Sequence, residues 1–70
     1  MIIGIDGNEA NVKTRVGVSV YTLKLLEYFN KKSSEKNRFI IFLKSKPLND
    51  LPKSNSFFKY KVVSGKFLWS

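Results

Sequence analysis

The apolar residues of this chain change their period along its length, and that change limits the folds open to it. Residues Ile2–Asp6 (IIGID) form a short, almost wholly apolar run that closes on Asp6, Gly7 and the polar Asn8, Glu9 and Asn11. That is the pattern of a buried strand entering a turn. From residue 17 to about residue 32 the spacing becomes helical. Val18, Tyr21, Thr22, Leu25, Leu26 and Phe29 fall at i, i+3, i+4, i+7, i+8 and i+11, which predicts an amphipathic helix that buries those residues. Lys24, Glu27 and Lys31 take the outer face. Glu27 and Lys31 stand in the favoured order for an i,i+4 pair, and Lys31 and Lys32 suit the negative end of the helix dipole. After a polar loop at 33–37, Arg38–Leu43 (RFIIFL) is again a continuous run, aromatic and β-branched and of strand length. Residues 44–56, with Pro47 and Pro52 among Ser and Asn, read as a long exposed loop, and residues 57–63 as a third strand.

Strand, helix, strand, with a helix long enough to cross over, predicts an α/β fold: a right-handed, parallel βαβ unit extended by a third strand. Continuous apolar strands belong to sheets covered on both faces. One helix covers one face, so the expectation is a sheet whose other face stays bare, in a chain that continues or meets a partner, because large exposed apolar patches are rare on soluble monomers. Lys66, Phe67, Leu68 and Trp69 read as the start of a further apolar element.

Composition removes several kinds of chemistry. At 70 residues and 43% apolar content the core is thin and stability is expected to be marginal. With neither Cys nor His, there is no disulfide, no thiolate or imidazole metal site, and no Cys- or His-based catalysis within this chain. No apolar run approaches the roughly 20 residues that span a bilayer, and the opening residues lack a basic leader, so a cytoplasmic location is expected. The net charge of +8 favours anionic partners. Its carriers are scattered lysines, with only Arg15 and Arg38 as arginines. Base-edge and bidentate phosphate recognition favour Arg, so nucleic acid is not expected, while an anionic membrane surface remains a candidate.

Neither a G-x-G-x-x-G fingerprint nor a Walker sequence occurs, which disfavours a dinucleotide-dependent dehydrogenase and a P-loop nucleotidase. Ligands of open α/β sheets bind beyond the carboxyl ends of the strands, where helix N-termini offer free N–H groups. Here that edge carries Asp6, the loop after it, and the helix start at Gly17, Val18 and Ser19, with Arg15 beside them. An anion there would meet the helix dipole, several amides and a guanidinium. Alternatively, Gly17 only permits the turn while Ser19 or Thr14 caps the helix. Asp6 and Glu9 could bind a sugar hydroxyl or accept loop amides.

These residues resemble the amino-terminal domain of GT-B fold glycosyltransferases of the family 4 type. IGIDGNEAN is similar to the family's opening strand and its I-G-I-D-x-x-E turn, and VGVSVYTLKLLEYF to its G-I-G-x-Y-x-x-x-L-x-x-x-L glycine turn and first helix. RFIIFL looks like the second strand, and KFLWS like the start of the next helix. The resemblance runs through nearly all 70 residues yet spans less than half of one of such an enzyme's two Rossmann-like domains. It implies that residues 1–70 are an incomplete, acceptor-side, Rossmann-like amino-terminal domain, and that a carboxy-terminal donor-binding domain is absent. It implies transfer of a sugar from a nucleotide-sugar donor to a sugar or lipid-linked acceptor, usually with retention, without a cofactor. The family's glycine turn touches the donor diphosphate, a role that falls here on Gly17, with Val18, Ser19 and Arg15 as neighbours. The acceptor side falls on Asp6, Asn8 and Glu9. Relatives carry paired or alternating glycines where this chain has Val16 and Ser19. The fragment alone is expected to be inactive, and basic amino-terminal domains of the family often rest on anionic membranes. The reading from a different class is a small basic module that binds nucleic acid or an anionic membrane without catalysis.

Overall fold

A computed structural model describes residues 1–63, so the expected element beginning at Lys66 lies outside the described residues. The elements run β1 (Ile2–Asp6), α1 (Val18–Lys32), β2 (Arg38–Leu43) and β3 (Phe58–Val62). All three strands are parallel, in the order β1-β2-β3. Register sets Ile3 beside Phe39 and Phe58, and Ile5 beside Ile41 and Tyr60. The fold is the expected parallel α/β arrangement, Rossmann-like in its βαβ-β order.

Side chains alternate across a strand, and here one parity is buried. Phe39, Ile41, Leu43 and Phe58 join Leu26 of α1 in the core, with Ile3, Ile5, Leu23, Phe29 and Tyr60 packed against it. Phe29 stacks on Phe39 at 5.1 Å between ring centres, and Phe58 meets Tyr60 edge to face at 5.5 Å. The short dimension of the molecule, 18 Å against 31 and 30 Å, is that of one sheet and one covering layer.

That layer holds more than the helix. Leu51 is buried in the core, and the Tyr60 hydroxyl donates to the Pro52 carbonyl. The stretch expected to be an exposed loop is therefore a second crossover that lies on the same face as α1. The reason is geometric: two parallel connections of one hand, advancing in one direction across a sheet, must share a face.

The helix is also turned relative to expectation. Its buried residues are Ser19 and Leu26, whereas Val18 is 63% and Tyr21 64% exposed. The Ser19 hydroxyl folds back on the chain, donating to the Val16 carbonyl and accepting the Val16 N–H, each at 2.8 Å. A small, locally satisfied side chain can face the sheet closely, and the bulkier flank swings outward. The ion pair on the helix is Lys24 to Glu27, at 3.7 Å.

The opposite sheet face carries Ile2, Gly4, Asp6, Arg38, Ile40, Phe42, Lys59 and Lys61 by alternation. No described helix covers it. Its apolar content is smaller than the sequence suggests, because Arg38, Lys59 and Lys61 are interleaved with Ile2, Ile40 and Phe42. Among the described residues no helix is long and apolar enough to cross a membrane.

Candidate functional site

The carboxyl ends of the strands are built over by two loops, 7–17 and 44–57, and asparagines join them. Gly7 continues the ladder, its N–H donating to the Phe42 carbonyl at 3.0 Å. It is buried so tightly that a Cβ would stand 2.5 Å from Ile41 Cγ2. A larger residue there must push aside the Ile41 side chain. The turn that follows is an Asx turn: Asp6 Oδ1 accepts both the backbone N–H and the Nδ2 of Asn8, each at 2.9 Å. Asn8 Oδ1 in turn accepts the Lys44 N–H at 2.8 Å. Asn11 repeats the device one step outward, accepting the Leu48 N–H at 2.8 Å and donating to the Lys46 carbonyl at 3.2 Å.

Arg15 closes the seam. Its Nε donates to the Ala10 carbonyl at 2.8 Å, and its guanidinium grips the Asp50 carboxylate with both Nη groups. The hydrogen bond from Arg15 holds the Asp50 carboxyl below its usual pKa, and the same bond raises that of Arg15. The charge expected to meet a ligand is thus spent between two loops, so in this structure Arg15 is a positioning residue for the edge.

The helix start differs. Gly17 is the N-cap, at φ 50° and ψ −113°, a backbone region that L side chains avoid, and no side chain caps the helix. Ser19 donates its N–H to the Val16 carbonyl and Tyr21 to the Gly17 carbonyl. Among the described residues, the amides of Gly17, Val18 and Val20 have no acceptor. Among the described residues, none beyond its chain neighbours approaches within 4 Å of where a Gly17 Cβ would stand. The first turn therefore offers unpaired donors and open space at the positive end of the helix dipole. Neither Ser19 nor Thr14 caps it, so that expectation is corrected: the Ser19 hydroxyl is engaged with Val16.

The predicted residues thus fall into separate groups on one edge. Asp6 and Asn8 are joined by hydrogen bonds, and Gly17, Val18 and Ser19 form the helix start. Arg15 turns to Asp50. Glu9 is exposed and makes no hydrogen bond among the described residues. Two hollows, of about 200 and 360 Å³, are lined by Pro47, Leu51, Pro52 and Tyr60 and by Glu27, Asn30, Lys31 and Pro52. Neither includes a predicted site residue.

Sequence reasoning missed Asn11 and Asp50. The signal for Asn11 was the density of Asn within six residues of a strand end, since Asn bridges loop backbones readily. Asp50 carries no local signal, because its partner lies 35 residues away. The chain has no significant match among protein-family models, curated proteins or solved structures.

Proposed function

We propose that this chain is the acceptor-side, amino-terminal part of a GT-B type glycosyltransferase, which moves a sugar from a nucleotide-sugar donor to a sugar or lipid-linked acceptor. What supports the reading is the helix start: a glycine in a conformation reserved to glycine, open space beside it, and unpaired amides at a positive dipole end. Together with the resemblance of IGIDGNEAN and VGVSVYTLKLLEYF, this suits a backbone that receives a diphosphate. In such an enzyme Gly17, Val18 and the Val20 amide contribute donors to the leaving diphosphate, and these stabilise charge that develops as the glycosidic bond breaks.

Ser19 serves by fixing the Val16 peptide, and Arg15 by holding loop 7–17 in place. Asp6, Asn8 and Glu9 form the acceptor edge. The Asx turn leaves Asp6 Oδ2 as an acceptor for a hydroxyl, and Glu9 adds an exposed carboxylate. The group that binds the donor sugar, and the cations that neutralise the diphosphate, belong to a second domain. The exposed Lys31, Lys32, Lys36 and Arg38 suit an anionic bilayer that presents a lipid-linked acceptor.

The test is titration of the isotope-labelled chain with inorganic pyrophosphate and with a uridine diphosphate, followed by amide shifts. Shifts centred on Gly17, Val18 and Val20, abolished in Gly17→Val, are expected. Shifts spread evenly over the lysines, or none at the helix start, overturn the reading. The 70-residue chain should show no turnover of nucleotide-sugars.

A further inference from the structure

The two loops keep the register of the strands they leave. In the sheet each β1 residue pairs with the residue 36 positions on, from Ile2 with Arg38 to Asp6 with Phe42. Beyond the strand ends the spacing persists, now through side chains. Asn8 meets Lys44, 36 positions on, and Asn11 meets Lys46 and Leu48, 35 and 37 positions on. Arg15 meets Asp50, 35 positions on. Backbone cannot carry the ladder here. Ala10 and Asn11 donate their N–H groups back to the Gly7 carbonyl, so residues 7–11 are coiled, and Pro47 has no N–H to give. The inner rungs each take one Asn side chain onto backbone, and the outer rung takes two charged side chains, as loops that draw apart require.

The last rung stands next to the helix start. Arg15 is anchored on two sides. Its Nε donates to the carbonyl of the fully buried Ala10 at 2.8 Å, and Asp50 accepts from both Nη groups. The next residue, Val16, has both its N–H and its carbonyl on the hydroxyl of the buried Ser19. One peptide therefore joins the ladder to α1, and Gly17 at φ 50° follows it with no side-chain cap. Among the described residues the backbone of 12–15 makes no hydrogen bond, so side chains set its place.

We propose that Asp50 is a positioning residue for the turn at Gly17: acting through Arg15, it carries the register of β1 and β2 out to the start of α1. The second crossover supplies no group to the candidate site, yet it decides where the amides of that site stand. The ladder itself needs no ligand; its bearing on a diphosphate rests on the glycosyltransferase reading.

Amide spectra of the ligand-free chain test this. Asp50→Ala, at a side chain 60% exposed, should keep its circular dichroism, move the Val16, Gly17 and Val18 amides, and leave those of Ile3 and Ile5 in place. Exchange of the Leu48 N–H, one rung in, should quicken about threefold or more, while that of the Lys44 N–H, two rungs in, stays as it was. Arg15→Met combined with Asp50→Ala should show the Gly17 shift of Arg15→Met alone, because Asp50 acts through Arg15. Asp50→Glu keeps the pair and should bring the Gly17 amide back towards its wild-type position. Shifts confined to residues 48–52, or a double variant in which the two effects add, overturn the proposal. Titration with inorganic pyrophosphate gives a second arm, in which Asp50→Ala should bind about fivefold or more weakly at the helix start. Tighter binding overturns the proposal, since Asp50 would then compete with the anion for Arg15. A wild-type chain that ignores pyrophosphate counts against the glycosyltransferase reading alone, and the ligand-free shifts still decide the role of Asp50.

Discussion

Arg15 and Asp50, 35 residues apart in sequence, meet in a two-pronged ion pair with Nη2 to Oδ1 at 2.9 Å, and it locks the loop after β1 to the second crossover. The Arg15 side chain is only 12% exposed while that of Asp50 is 60% exposed, so the two ends are unequal. Arg15→Met removes the pair and the bond to Ala10 together and should cost about 1–2 kcal/mol in urea unfolding. Asp50→Asn should cost less than that, because its half of the pair is in water.

Acid should erase the difference between wild type and Asp50→Asn. The folded-state pKa of Asp50 is lowered by Arg15, so its contribution is present above the unfolded carboxylate value of about 3.9 and is lost as pH falls through the folded value. Urea midpoints of the two proteins should differ at neutral pH and converge in strong acid. A constant offset down to the lowest pH contradicts the pairing.

Base should act through Tyr60. Burial pushes its phenol up to about 12, and the hydroxyl donates to the Pro52 carbonyl. A raised pKa favours the neutral form in the folded state. The contribution is therefore complete below the unfolded value of about 10 and is lost as pH rises through about 12. Tyr60→Phe should lose about 1 kcal/mol at neutral pH and be the less sensitive of the two between pH 10 and 12, as followed by thermal unfolding.

Two glycines should fail for different reasons. Gly7→Ala drives a methyl to 2.5 Å from Ile41 Cγ2 and 3.2 Å from Leu43 Cδ2, an overpacking that costs about 1–3 kcal/mol. Gly17→Ala meets no neighbour but must hold φ 50°, a strain of about 1–3 kcal/mol. Changes in the spectra of Ile41 and Leu43 should accompany the first substitution and not the second.

The rotation of α1 can be checked by a pair of truncations. Leu26 is fully buried, and Leu26→Ala should cost about 2–5 kcal/mol, enough to unfold a domain this small. Val18→Ala, at a position 63% exposed, should stay within about 0.5 kcal/mol. Equal losses would contradict the burial of one and exposure of the other.

The strands were legible because each is a dense apolar run of strand length bounded by turn residues: IIGID before Asp6-Gly7, and RFIIFL after a polar loop. The helix was legible in extent but not in orientation. Its apolar stripe is wider than one sheet can bury, and the residue that chose the inward face was Ser19, a polar side chain whose hydroxyl is satisfied by its own turn. Leu51 was lost among prolines and serines, since burial of a single residue in a crossover leaves no period to read.

On the candidate edge, Gly17 was legible because few residues can begin a helix at positive φ. Asp6 and Asn8 were visible as turn formers. The engagement of Arg15 was not, because an arginine's partner is set by where the fold brings a distant carboxylate.

The sequence by itself determined the order and type of the elements, the parallel pairing, and the excess of positive charge, all of which depend on residue type and near-neighbour spacing. Only the tertiary structure decided which side of α1 meets the sheet, that the second crossover shares its face, and that Arg15 answers to Asp50. Those follow from long-range packing, in which a side chain's partner is fixed by the path of the whole chain and not by its neighbours in sequence.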